Sequence, residues 1–419
     1  MITNIVLFEH PTHSESLYPF SIMHLPWELR IGLLNILETW QKLSGASVLS
    51  LHGRPLHLES FTTRNPQYRS RQLGVGSVLA LSSLLLPRNN TLIEIRKAET
   101  SVTPVAFIAD GQLVAACCSL SDWERLNVRE WNELEHVISS QHWDCITLTD
   151  FRIIRYLWDL FDNIPDTITE QFSFCADQTI HHADFVHGHV AALNPERIAV
   201  GENSSIAPFV VLDASSGPIL IGNNVTIMPH VTIIGPCAIG DHTIVKAGAR
   251  IYPNTVIGQW CKIGGEVDTS IFQNYTNKQH EGFVGHSFIS EWVNIGADTN
   301  TSNLKNTYRP ISVEFPTGRI PTGRTFLGLL CGDHTKVGIN TMFTTGTVVG
   351  ICSNIFGSGY TPNYIPSYTW GGITTRKLLS LETALDTARR SMARRQKALT
   401  VEEIRLLQNE YEHVQKLFC

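Results

Sequence analysis

Branched aliphatic residues recur at every sixth position through the middle of the chain: Ile221, Ile227, Ile233, Ile239, Val245, Ile251, Ile257 and Ile263. The same frame is visible earlier at Val200, Ile206 and Leu212, and it returns at Val337, Phe343, Val349 and Ile355. A strict six fits neither the 3.6-residue period of a helix nor the two-residue period of a lone strand. It fits a coil of short strands and tight turns in which each hexad sends one aliphatic side chain inward. Stacked coils then bury a ladder that no single coil could bury. Gly222-Asn223-Asn224, Gly240-Asp241 and Pro253-Asn254 supply corner residues that tolerate turn dihedrals. Asp213 to Ile219 adds three residues between hexads, and Asp268 to Thr335 leaves the frame apart from Ile289 and Ile295. Solenoids carry insertions on one face, often the binding face, so the longer break is where chemistry is expected.

The flanks follow other patterns. Asn4 to Phe8 reads as a buried strand. From Trp27 to Leu43, the residues Leu29, Leu33, Ile36, Leu37, Trp40 and Leu43 share a helical face. Val105 to Ile108 and Leu113 to Cys118 flank Asp110-Gly111 as a hairpin, and Phe151 to Phe161 reads as a helix. Mixed strands and helices predict an α/β domain over residues 1–178, ahead of an all-β coil of stacked hexads over 190–374. From Leu378 the pattern turns helical again, with Leu381, Leu385, Ala388 and Met392 on one side. Thr400 and Glu403 form a capping box that opens a second helix, giving a helical segment over 376–419. The basic run from Arg389 to Lys397 reads first as a solvated helix face, and second as a contact for a phosphate-bearing ligand such as coenzyme A.

Composition narrows the function classes. At 419 residues the chain is long enough for two or three domains, and 43% hydrophobic residues can supply their cores. A net charge of -6 argues against a nucleic-acid binder, which carries a basic footprint. The start, MITNIVLFEH, has neither a basic n-region nor a small-residue cleavage site, so no signal peptide is expected. The apolar run from Val75 to Leu86 is too short to span a membrane. The nine cysteines form no C-x-x-C pair, which fits a reduced, cytoplasmic chain better than a disulfide framework.

Several motifs carry a family resemblance. They are Gly265-Glu266-Val267, Asn277-Lys278-Gln279-His280, Glu291-Trp292-Val293-Asn294-Ile295-Gly296-Ala297, Ser302-Asn303-Leu304-Lys305-Asn306, Gly332-Asp333-His334, Gly338-Ile339-Asn340-Thr341-Met342 and Ile365 to Gly372. With these, the chain resembles the bifunctional N-acetylglucosamine-1-phosphate uridyltransferase/glucosamine-1-phosphate acetyltransferases, in a branch with a short sugar nucleotidyltransferase-like N-terminal domain. The resemblance implies that the hexads form a left-handed parallel β-helix, in a homotrimer with active sites between subunits and acetyl-CoA as acyl donor. The implied acceptor is a small-molecule sugar phosphate or nucleotide sugar, with glucosamine 1-phosphate the default. It makes His280 the base that takes the proton of the attacking amine, a task suited to imidazole near neutral pH. Glu266 would orient the amine or the base, and Arg250 would hold the sugar phosphate, which a guanidinium matches in shape. Asn294 and Asn303 would hold sugar or acyl groups, and the backbone near Ala297 would face the thioester. The chain departs from the family pattern at Asp268, where a lysine is usual, at Phe283 and Leu304, where tyrosines are usual, and at Arg309, which replaces a lysine. Asp268 should weaken phosphate binding at its own position.

The N-terminal segment departs further. Sugar nucleotidyltransferases hold nucleotide phosphates with a glycine-rich, arginine-bearing loop after the first strand. Here Glu9 to Pro19 contains no glycine, arginine or lysine. The backbone there cannot approach phosphates closely, and no cation in the segment offsets their charge. Mg²⁺ is therefore expected only if this domain transfers nucleotides. Alternative roles are ligand binding, positioning the trimer, or capping the solenoid.

A zinc site is the rival from another class, with His280, His286 and His334 as candidate ligands. No close ligand pair is present among them, and Arg250, Glu266 and the asparagines suit a sugar site better, so no metal is assigned. His181, His182, His187 and His189 read as a polar entry into the first coil. Asp333-His334 reads as a turn, and Trp292 as packing.

Overall fold

The computed structural model describes residues 2–69, 76–99, 101, 103–141, 143–175 and 189–418. It has two compact units: Met1–Leu17, Met23–Leu29 and Leu34–Asp159 in one, and Tyr18–Ile22, Arg30–Leu33 and Leu160–Cys419 in the other.

The first unit is built on a six-stranded sheet of β1 (Ile2–Phe8), β2 (Ser47–His52), β3 (Ser77–Ser82), β4 (Val105–Ala109), β5 (Gln112–Ser119) and β6 (Asp144–Thr147), in the order β2-β1-β3-β5-β4-β6. β1 runs parallel to β2 and β3, whereas β5 is antiparallel to both β3 and β4. The β4–β5 hairpin turns on Asp110 and Gly111, both at positive φ, as a two-residue hairpin loop requires. Val6, Phe8, Val78, Ala80 and Ala106 of the sheet pack with Trp123, Trp131 and Leu134.

Two expected helices begin later than their apolar patterns. From Trp27 onward the helix forms only at α1 (Ile36–Ser44). There the Asn35 side chain accepts from Glu38 N and the Glu38 carboxylate accepts from Asn35 N, so local capping sets the start. Similarly, the helix expected from Phe151 begins at Asp159, as α2 (Asp159–Cys175). The Asp159 carboxylate accepts from the N–H groups of Arg155 and Tyr156, which satisfies that turn without helical bonds.

After β1, a one-turn helix (His13–Ser16) buries His13. Its Nε2 donates to Ile154 O at 3.0 Å, and its Nδ1 lies 2.8 Å from the Ser83 hydroxyl. Burial lowers its pKa to about 4. The unfolded chain therefore binds the proton first, and stability that is complete above pH 6.5 falls as the pH drops toward 4. The full effect is about 3 kcal/mol. Urea titrations at pH 7 and pH 5 should show this loss, and His13→Gln should flatten the slope between them. An unchanged slope would sink the assignment.

The second unit is a parallel β-helix with three faces. Each strand pairs with the strands one coil before and after: Ile251 lies beside Ile233 on one side and Val267 on the other. The first face includes Arg250–Ile251, the second Thr255–Ile257 and the third Lys262–Ile263. The hexad aliphatics point inward as one buried ladder, including Ile221, Ile239, Ile257, Phe272, Ile289, Cys331, Val349 and Ile365. Complete burial of each stabilises by about 1.5–3 kcal/mol relative to exposure.

Corners demand left-handed backbone, and asparagines supply only part of it. Trp260, Tyr275, Trp292, His242 and His334 also sit at φ near +60°. A non-glycine residue there costs about 1–2 kcal/mol. Ring stacking offsets this: His242 on Trp260 at 4.3 Å, and Tyr275 on Trp292 at 4.1 Å.

The expected break at Asp268–Thr335 is mostly not a break. Strands Ile271–Phe272, Asn277–Lys278, Phe283–Gly285, Phe288–Ile289, Asn294–Ile295 and Asn300–Thr301 continue the coil. The period is hidden because Ile257 pairs with Phe272 and Phe272 with Ile289, so the corners shorten and then lengthen. Polar residues also take inward positions, as Lys278 does beside Ile263. The true excursion covers residues 302–329 and contains an antiparallel hairpin, Ser312–Phe315 with Gly318–Pro321.

Beyond the coils, Arg376–Leu378 folds back on Thr369–Gly372. Helices α3 (Leu381–Ala393) and α4 (Val401–Gln415) follow, the latter opened by the Thr400–Glu403 capping box. Tyr368 donates to Leu407 O at 2.7 Å and Ser367 to the Glu410 carboxylate at 2.6 Å, which ties α4 to the last coil.

Candidate active site

Arg250, Glu266 and Phe283 stand in register on successive coils of the first face. The Arg250 guanidinium lies 3.5 Å from the Glu266 carboxylate and 3.3 Å from that of Glu281. All three side chains are exposed or half-buried, so these pairs add little to stability. The guanidinium remains open to an anionic ligand.

His280 is exposed in the turn that leads from the third face back to the first. The turn is fixed from below. Gly265 has φ +75°, and a Cβ there would lie 2.6 Å from Gly282 O and 2.9 Å from His280 O. Gly282 has φ +117°, and a Cβ there would meet Thr299 O at 2.2 Å. Backbone therefore packs directly on backbone under His280. The buried Lys278 ammonium adds two donations, to His280 O and to Glu281 O at 2.7 Å. Burial pushes its pKa down to about 8, against the attraction of Glu281 and Asp298.

Ala297 occupies the same corner one coil later, where Asp298 N donates to Glu281 O at 2.9 Å. Asn294 is exposed on the third face, between Asn277 and Lys336 in register. Arg250, Glu266, His280, Ala297 and Asn294 thus gather along one edge of the β-helix. Asn303 lies at the other end of the first face, where its Nδ2 is 3.0 Å from His286 Nδ1. Arg309 is exposed in the excursion. The single chain does not bring Asn303 and Arg309 to the His280 edge.

Sequence reasoning missed Glu281 and Lys278. Glu281 had no signal beyond lying next to His280. Lys278 did have one, since it occupies an inward position in an aliphatic column. The zinc candidates separate: His286 stacks on Phe326 at the Asn303 corner, and His334 stacks on Trp292 at a third corner. Among the described residues, no group of three His, Cys, Asp or Glu residues could hold a metal ion. His181, His182 and His187 lie outside the described residues, and His189 stacks on Phe209. His334 has φ +59°, so Asp333-His334 is a turn. Trp292 is buried against Tyr275, yet it also lines the cleft beside Asn294.

In the first unit, a cavity of ≈ 280 Å³ opens at the carboxyl ends of β1 and β2, where open α/β sheets place ligands. It is lined by Glu9, His52, Arg54, Arg129 and Trp131. The expectation that no cation serves this position is corrected in part: Arg54 and Arg129 enter from distant segments. Arg54 is committed, however, with its Nε and N each 2.9 Å from the Glu9 carboxylate. A paired Glu9 is a poor Mg²⁺ ligand, and the residues present do not fit that ion. Cys117, Cys118, Cys145, Cys237, Cys261, Cys331 and Cys352 are free thiols, and among the described residues no helix is long and apolar enough to cross a membrane.

Comparison with known proteins agrees with this architecture. The Sugar nucleotidyl transferase family matches residues 5–180, and the Bacterial transferase hexapeptide (six repeats) family matches residues 218–253. An uncharacterized acetyltransferase YaiX of Escherichia coli O6:K15:H31 is 28% identical over 35% of this chain and 65% of its own length. The bifunctional protein GlmU of Ruthia magnifica is 28% identical over 59% of this chain and 52% of its own. That of Methanocaldococcus jannaschii is 36% identical over 24% and 25%. The chain spans less than two thirds of the length of these relatives. A solved UDP-N-acetylglucosamine acyltransferase, LpxA of Bacteroides fragilis, aligns over 55% of this chain and 96% of its own, at 15% identity and a TM-score of 0.28. A sugar nucleotidyl transferase domain ahead of hexapeptide repeats, with GlmU proteins among its relatives, supports a GlmU-like family for this chain.

Proposed function

We propose that this protein is an acetyl-CoA-dependent N-acetyltransferase acting on an amino-sugar 1-phosphate, glucosamine 1-phosphate by default, or on a nucleotide amino sugar. The observation that carries the reading is the meeting of Arg250, Glu266 and Glu281 beside the His280 turn. In this reading Arg250 takes the acceptor's phosphate, exchanging its carboxylate partners for a dianion. His280 accepts the proton that the amine sheds on attacking the thioester carbonyl, and Glu266 orients the amine or the imidazole. The tetrahedral intermediate then collapses, forming the amide, and the departing thiolate takes the proton held by His280 and leaves as the thiol. Asn294 holds the sugar, and backbone at Ala297 faces the thioester. Asn303 and Arg309, remote within one chain, reach a site only from a neighbouring subunit, which is how a homotrimer would use them. The acyl-transfer domain is assigned to residues 190–374, between an α/β domain over 1–178 and a helical segment over 376–419, in a cytoplasmic enzyme.

The test is thiol release from acetyl-CoA with a panel of amino-sugar phosphates and nucleotide amino sugars, with the product identified by mass. Turnover is expected with at least one acceptor and without Mg²⁺. Acceptor-independent or absent thiol release from folded protein would overturn the reading. The match of residues 5–180 supports a second activity, sugar-1-phosphate nucleotidyl transfer, which would appear as Mg²⁺-dependent pyrophosphate release. The Glu9–Arg54 pair weighs against it.

A further inference from the structure

The corner that leads from the third face to the first carries a column of rings above the His280 turn. Ala191, Val211, Thr232 and Arg250 stand in register on successive coils, so the residues two positions ahead of them, His189, Phe209, His230 and Gly248, share that corner. The His189 and Phe209 rings stack at 5.4 Å, and the Phe209 and His230 rings at 5.2 Å and within 6° of parallel. Neighbouring strands lie about 4.8 Å apart, so the rings stack one per coil.

Burial does not account for this column. Phe209 is 56% exposed and both histidines are exposed, whereas Trp292, in the stack at the corner ahead of the third face, is 8% exposed. Phe209 and His230 hold φ of +67° and +63°, which asparagine or glycine adopts at less cost. The column also ends at an informative place. Gly248 has φ +74°, and a Cβ there would have nothing within 4 Å, so the His230 face turned away from Phe209 looks onto open space. Beyond that space the Arg250 guanidinium reaches Gly248 O at 3.4 Å and turns toward Glu266 and Glu281. The His280 turn follows on the coil that ends in Phe283. The order along this edge is therefore ring column, open step, guanidinium and imidazole. From His230 to the His280 turn it spans about 14 Å at the coil spacing.

We propose that the open face of His230, backed by Phe209, is a platform for the base of a nucleotide-linked acceptor. The base stacks on His230, the ribose lies over Gly248, Arg250 takes the phosphate, and the amino sugar reaches His280. A flat base extends a ring column without needing any polar partner from the corner, and a guanidinium fork suits phosphate oxygens. An amino-sugar 1-phosphate ends at Arg250 and leaves the rings unused. The platform therefore selects the nucleotide-linked acceptor over the bare sugar phosphate. This selection rests on the acyl-transfer reading; the stacking of a base on His230 does not.

Calorimetric titration of the full chain with UDP, dTDP, GDP and inorganic pyrophosphate tests it. At least one nucleotide should bind more tightly than pyrophosphate. His230→Asn keeps a residue that tolerates the left-handed corner but removes the flat ring. It should weaken that nucleotide about tenfold and pyrophosphate by less than about twofold, whereas Arg250→Gln should weaken both. His230→Phe should bind the nucleotide as wild type does. In turnover, the ratio of kcat/KM for the matching nucleotide-linked glucosamine to that for glucosamine 1-phosphate should fall about tenfold in His230→Asn. If no nucleotide exceeds pyrophosphate, or if His230→Asn binds the nucleotide like wild type, the proposal is overturned. A change of sedimentation coefficient in His230→Asn would also overturn it, because the rings would then be packing a neighbouring subunit. Thiol release with glucosamine 1-phosphate and no base-dependent binding would remove the platform and leave acyl transfer standing. Base-dependent binding lost in His230→Asn, without thiol release on any acceptor, would do the reverse.

Discussion

His280→Ala should lower kcat for acyl transfer about 10²–10⁴-fold, the range that a positioned general base contributes. His280 is exposed on a surface turn, so the fold should tolerate the change. Thermal unfolding should move little, and the KM for each substrate should stay within a few-fold. A variant that turns over within threefold of wild type would eliminate His280 as the base and return attention to Glu266 or Glu281.

The second large effect is expected at Lys278→Met. Methionine fills a similar volume but donates to neither His280 O nor Glu281 O. His280 O then loses the ammonium donor, at about 1–3 kcal/mol, while Glu281 O keeps the bond from Asp298 N. Part of that loss is offset because an ammonium no longer has to be desolvated. We expect net destabilisation of about 1–2 kcal/mol in urea unfolding at pH 7. We also expect a fall in kcat of at least tenfold as the His280 turn loosens, since small displacements of a catalytic group are costly.

The pH dependence separates this role from simple packing. Burial lowers the folded pKa of Lys278 to about 8 from 10.5. The unfolded chain therefore holds the extra proton between those values, and wild type gains stability relative to Lys278→Met as the pH rises through that window. Parallel pH profiles for the two proteins would show that Lys278 is not the charged anchor of the turn.

Several of these features were legible in the sequence. The hexad frame from Ile221 to Ile263 determines a β-helix, because a side chain that must point inward every sixth residue allows no common alternative. The Asp110-Gly111 hairpin and the Thr400–Glu403 box were equally readable, since turns and caps depend on near neighbours. Helix starts at Ile36 and Asp159 were missed because apolar spacing marks a face and not an end. Local side-chain bonds at Asn35 and Asp159 decided the ends. The coil between Asp268 and Thr301 was hidden by uneven corners, which the stacking register absorbs without leaving the helix.

The sequence by itself determined the architecture and the residue types of a candidate acyl-transfer edge. Period, capping and motif spacing are properties of neighbours along the chain. Only the tertiary structure decided which residues meet. It set Glu281 against Arg250, placed the Lys278 ammonium under the His280 turn, and separated Asn303 and His286 from His280. It also placed the basic stripe of α3 opposite Lys262. Apart from the local Lys278 contact, these pairings join residues many positions apart, brought side by side by coils stacking one on another. Their partnership depends on the register between coils, which no local pattern encodes.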